Sequence, residues 1–134
     1  MKIKLNIIPD VPNKNGHIYP KKVLDKAIKE YLERRNPRLG TVSSFYPDAS
    51  QLEVDLEAVA FEIKDIYEVE NSDHPYEAEI NLLDTPAGTL LKNNLENSEY
   101  LLGHIAMADI DENNVVADDL IITHYSAIKK EEGT

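Results

Sequence analysis

The sequence predicts an α+β fold, a mainly antiparallel barrel or sandwich of about six strands with two helices packed outside. Three observations lead there. Several segments alternate apolar and polar residues at the period of a strand, and two others place apolar residues at helical spacing. The 134 residues contain no internal repeat and no low-complexity stretch. A chain of this length fits one domain and buries enough surface for one core.

Residues 2–8 alternate Lys and Asn with Ile and Leu, a strand pattern. Pro9, Pro12, Asn13, Asn15 and Gly16 mark a loop. Pro20 opens a helix where its missing N–H costs nothing. Val23, Leu24, Ala27, Ile28, Tyr31 and Leu32 form its apolar face, and Asn36-Pro37 stops it. Residues 40–45 read as a short strand, and Tyr46-Pro47-Asp48-Ala49-Ser50 as a turn. The stretch 56–70 fits both periods; its β-branched and aromatic residues decide for a strand from about Ala58. After a turn at 71–75, Tyr76, Ala78, Ile80 and Leu82 alternate with polar residues and complete a hairpin. Thr85-Pro86 is an N-cap followed by proline, and Leu90, Leu91 and Leu95 are the buried stripe of the helix it opens. Gly88 marks close packing of that helix on a strand. Residues 100–108 form a strand, 109–114 a polar turn and 115–128 a long strand. One domain over 1–128 and a solvated tail over 129–134 follow.

Net charge is −11, from 25 acidic and 14 basic residues. Phosphate backbones are held through clustered Lys and Arg. The tight basic cluster, Arg34, Arg35 and Arg38, ends the first helix, where cations complement the helix dipole. No nucleic-acid partner is expected. There is no cysteine, hence no disulfide or thiolate metal site. No apolar run approaches the roughly 20 residues of a membrane helix, and residues 1–6 lack the apolar core of a signal peptide. The expectation is a soluble intracellular protein with no membrane partner.

Candidate chemistry is sparse. Asp109, Asp111 and Asn113 open like a calcium loop, but Asn114 and Leu120 stand where glycine and glutamate are required, so a hairpin turn is the reading. No glycine-rich phosphate loop occurs, and no cofactor or metal is expected. His124 and Ser126 share one face of the last strand, and His104 approaches them if its strand is the neighbour; His104, His124 and Ser126 are thus a speculative catalytic cluster beside the expectation of no catalytic residue. His74-Pro75 sits in a polar turn.

Three segments stand in a distinctive order: Asn13-Lys14-Asn15-Gly16-His17-Ile18-Tyr19-Pro20, Leu83-Asp84-Thr85-Pro86-Ala87-Gly88 and Leu101-Leu102-Gly103-His104-Ile105-Ala106. The order resembles the prohead proteases of tailed phages, the T4-type capsid-maturation peptidases that share a fold with the herpesvirus assembly protease. The resemblance implies an assemblin-like β-barrel. It also implies a histidine base before a Pro-containing turn and a serine in the third segment. Tyr46 stands before Pro47 at the first of these positions, and Ile105 and Ala106 at the second. No serine, threonine or cysteine lies between Leu102 and Ile110. A phenol cannot replace an imidazole base at neutral pH, and an aliphatic carbon cannot attack a carbonyl. The resemblance therefore implies a pseudoprotease: a structural or assembly component of the virion or prohead, present in host cytoplasm during assembly. Its partners would be capsid or other virion proteins, with self-association. Two alternatives are an active maturation serine protease with a rearranged site, and an acidic non-viral protein-binding module.

Overall fold

The computed structural model describes residues 1–43, 59–70, 72–96 and 98–130. The elements run β1 (Lys2–Lys4), α1 (Lys21–Arg34), β2 (Leu39–Ser43), β3 (Val59–Glu68), β4 (Tyr76–Leu82), α2 (Pro86–Asn94), β5 (Tyr100–Met107) and β6 (Ile121–Lys129). They build an α+β fold: one six-stranded mixed sheet in the order β1-β4-β3-β2-β6-β5, with two helices. The β3–β4 hairpin and the β5–β6 pair are antiparallel, and β2 runs parallel to β6.

The expected closed barrel is not formed. β1 has three residues, all of them paired with β4. Just beyond it, Leu5 makes an isolated parallel bridge to Leu102, and the Asn6 N–H donates to the Leu102 carbonyl at 2.8 Å. The two sheet edges therefore meet at a bridge and not along a ladder. The early strand ends here because the chain turns away through the loop of Pro9 and Pro12.

Tyr31, Phe61, Leu5, Leu24, Ile63, Ile80, Leu91, Leu102, Ile122 and Tyr125 lie in one core between sheet and helices. α1 buries Leu24, Ala27, Ile28 and Tyr31, the face its spacing predicts. It starts one residue after Pro20, whose carbonyl accepts from the Leu24 N–H at 2.9 Å. In α2 the Thr85 Oγ1 accepts from the Gly88 N–H at 2.9 Å and donates to the Val59 carbonyl at 2.6 Å, which seats the helix on β3. Its buried stripe is Ala87, Gly88 and Leu91. Leu90 is exposed, because it lies a helical step of about 100° from Leu91.

The predicted long last strand begins later than expected. Val115 and Val116 make isolated bridges to Ile18 and Ile110, and the regular ladder starts at Ile121. Asp111 explains the delay: its Oδ1 accepts from the N–H groups of Asn113 at 2.8 Å and Val115 at 3.0 Å, closing a tight turn. At its other end β6 reaches Lys129, and the Lys130 N–H donates to the Glu99 carbonyl at 2.8 Å.

Candidate functional site

The first distinctive segment is a folded turn. Asn13 Oδ1 accepts from the Asn15 and His17 N–H groups at 2.9 and 3.0 Å, and Gly16 takes a φ of 80°. This side-chain-closed turn is what Asn, and a following Gly free of a Cβ, provide. The Ile18 N–H donates to Asn114 and its carbonyl accepts from Val116, so the loop docks on the β5–β6 connection. Tyr19 is thereby delivered to the third segment. Its hydroxyl lies 3.1 Å from His104 Nε2, with the rings edge-on at 5.0 Å.

From His104 the aromatic contacts continue inward. His104 faces Tyr125 at 6.5 Å between centroids, and Tyr125 meets Tyr31 of α1 at 5.2 Å, both edge-on. The Tyr31 and Tyr125 hydroxyls are buried without a hydrogen-bond partner among the described residues. Burial raises both phenols above their ordinary range; the neighbouring Tyr31 and Tyr76 add to the rise at Tyr125, whereas the Arg38 and Arg35 guanidinium groups partly offset it at Tyr31. Neither can serve as a base or nucleophile in that state.

The register of β5 and β6 decides which groups share a face. His104 is directly opposite Tyr125, Ile105 opposite His124, and Gly103 opposite Ser126. Successive side chains on a strand alternate sides. His104 therefore faces the core side with Tyr125, whereas Ile105, His124 and Ser126 occupy the other face. The structure does not bring His104 to His124 and Ser126. A β-bulge at Thr123 then makes Ala106 the partner of Ile122, on the core side. Of Ile105 and Ala106, Ile105 is thus the one that looks across at an imidazole.

One hydroxyl, Thr123, touches His124 and two more, Thr41 and Ser126, lie further along the seam; each is engaged. Thr123 Oγ1 donates to the Ile105 carbonyl at 2.7 Å. Its contact with His124 Nδ1, 3.3 Å, therefore has the ring N–H donating to the hydroxyl oxygen, the reverse of what activates a nucleophile. Thr41 Oγ1 of β2 donates to Ser126 Oγ at 3.0 Å, and Ser126 donates back to the Thr41 carbonyl at 3.3 Å. His124 and Ser126 sit about 7 Å apart along the strand by its rise. Thr41, Thr123, His124 and Ser126 are all buried. The hydroxyl of Thr123 escaped sequence reasoning, because nothing in a single sequence marks it as the bulge.

Tyr46 lies outside the described residues. His74 lies in the turn between β3 and β4, where its N–H donates to Ser72 Oγ at 3.3 Å. β3 separates that turn by about 30 Å from Val59, which pairs with Thr41 at the site end. A groove of about 410 Å³ runs between α1 and the β3–β4 hairpin. Two of its three carboxylates, Asp25 and Glu68, already bind Lys21 at 2.7 Å each, and Asp25 also takes the Tyr76 hydroxyl.

Burial lowers both histidines, His104 to about 4 and His124 in the same direction, with Arg35 adding to the second. Both are neutral at pH 7. An unfolded histidine titrates near about 6.5. Between that pH and about 4, the unfolded chain binds a proton that folded His104 refuses, so stability falls as pH falls through this window. Unfolding of the protein and of His104→Gln should be measured by urea at several pH values. The parent should lose about 2 kcal/mol more than the variant between pH 6.5 and 4. Parallel curves would contradict the burial of a neutral imidazole.

No family model matches the sequence, and no curated protein does. Among solved structures, the chain is similar to the bacteriophage T4 capsid assembly protease, gp21, with a TM-score of 0.76 and 20% identity over 97% of this chain and 82% of that one. The fold is prohead-protease-like.

Proposed function

We propose that the chain is a non-catalytic phage assembly protein, a prohead-protease fold retained to bind capsid or other virion proteins in the virion or prohead. The fold likeness supports the assembly setting. The observation that carries the inactive reading is Ile105, an aliphatic side chain directly opposite the neutral, buried His124. A covalent mechanism needs a hydroxyl there whose proton the imidazole accepts. Thr123 and Ser126 are the hydroxyls on β6 nearest in sequence, and carbonyls take both their protons. What remains is a rigid sheet with a sealed polar seam, suited to recognition and not to turnover.

Two measurements test this. Quantitative mass spectrometry of purified virions and proheads should find the protein at a fixed ratio to the capsid protein. Incubation with capsid and scaffold proteins of the same phage should yield no cleavage. Cleavage that disappears in Ser126→Ala would restore the active-protease alternative. Absence from both particles would sink the assembly role and favour an acidic binding module.

A further inference from the structure

The connection between β5 and β6 leaves an apolar surface uncovered. Met107 and Ile121 are direct cross-strand partners, 47% and 44% exposed, and Ile110 in the connection is 42% exposed. Met107 and Ile121 continue the face that carries Ile105 and His124 one residue pair further toward solvent. Cross-strand apolar partners of this size gain little by facing water, and such exposure marks contact surfaces when it is contiguous and rimmed by polar groups.

The charges within the connection itself have one sign. Asp109, Asp111, Glu112, Asp118 and Asp119 lie in the connection, and all are exposed. No Lys or Arg occurs between Lys92 and Lys129. Asp111 accepts from the N–H groups of Asn113 and Val115, and Asp119 from that of Asp109. The carboxylates of Asp109, Glu112 and Asp118 have no partner among the described residues. Lys26 of α1 reaches the rim, but its Nζ lies 3.4 Å from the Asp118 carbonyl, not the carboxylate. Unpaired like charges so placed focus a negative potential over the apolar pair.

We infer that the Met107–Ile121 surface docks a segment of another protein that carries apolar side chains flanked by Lys or Arg. The apolar pair anchors and the carboxylates select. Nucleic acid and anionic membrane are repelled by the same rim. A second copy would set this acidic rim against a chain of net charge −11, which disfavours it. The inference rests on surface chemistry and stands independently of the proposed assembly role.

The test uses short fluorescein-labelled peptides and fluorescence anisotropy at low salt. A peptide alternating leucine and lysine should bind; its leucine–glutamate counterpart should not, and a serine–lysine version should bind at least about ten-fold more weakly. The double variant Met107→Ser/Ile121→Ser alters two exposed side chains and leaves the core intact, and it should weaken the leucine–lysine peptide by at least about ten-fold. Glu112→Gln/Asp118→Asn should weaken it relative to the parent, by a margin that widens as salt is lowered, whereas the remote pair Glu30→Gln/Glu70→Gln should not. Unchanged affinity in the serine double variant, or an equal loss from the remote pair, overturns the proposal. So does self-association, read by sedimentation, that the serine variant abolishes.

Discussion

Gly88→Ala is expected to destabilise the protein by about 4 kcal/mol, close to the upper range for a single substitution. A Cβ at that position would lie 2.0 Å from the Leu83 carbonyl oxygen and 2.8 Å from that of Ala60. Both obstacles are backbone. Leu83 O precedes the helix, and Ala60 sits inside β3, so neither can rotate away as a side chain would. Relief requires α2 to lift from β3, which would break the Thr85 bond to Val59 and uncover Leu91. Gly16 is the control. Its φ of +80° also favours glycine, but nothing stands within 4 Å of a Cβ there. Gly16→Ala should cost only the left-handed backbone term, about 1–2 kcal/mol. Thermal unfolding followed by circular dichroism reads both. If Gly88→Ala proves no worse than Gly16→Ala, α2 is not clamped on the sheet as described.

Arg38→Ala should cost about 3 kcal/mol, from the loss of several hydrogen bonds to a charged group. One guanidinium donates to four carbonyls: Leu32 at 3.1 Å, Arg35 at 3.3 Å, Ile63 at 3.0 Å and Lys64 at 2.8 Å. The first two end α1. The other two flank the irregularity in β3, where the ladder to β4 skips from Ile63 to Asp65. Arg38 thus supplies a bulge carbonyl with the partner the neighbouring strand does not offer, and ties it to the helix end. Lysine has a point charge in place of a planar fork, so Arg38→Lys should recover less than half of the loss. Full recovery in lysine would mean that charge near the helix terminus, not the fork, is what matters.

That second residue shows where reading the sequence stopped. The arginine cluster was legible as a complement to the dipole of α1, and two of the four bonds are of that kind. The link to β3 was not, because it depends on a bulge that no local pattern announces. Thr123 repeats the lesson. His124 and Ser126 were legible as one face of a strand, since alternation is local. Whether His104 joined them depended on the register between strands, which sets His104 opposite Tyr125 and so on the other face. The elements themselves were read well where periodicity was strong, as in α1 and the β3–β4 hairpin. They were read less well where apolar residues serve a turn, as from Val115 to Leu120. Barrel closure was lost because β1 ends at Lys4 and the chain meets β5 only past it, at the isolated bridge of Leu5 to Leu102. Tyr46, the other half of the catalytic argument, lies outside the described residues.

The parallel seam between β2 and β6 joins residues 85 positions apart, Thr41 with Ser126. Until β6 arrives, β2 has one neighbour and the half of the sheet that precedes it ends in an open edge. Distant pairings of this kind are closed late, because the entropy of gathering the intervening chain comes before any contact compensates it. A ribosome making this protein would therefore release most of the sheet before its keystone strand exists. Chaperone dependence and slow refolding after dilution from urea are the kinetic signature to expect of such an architecture.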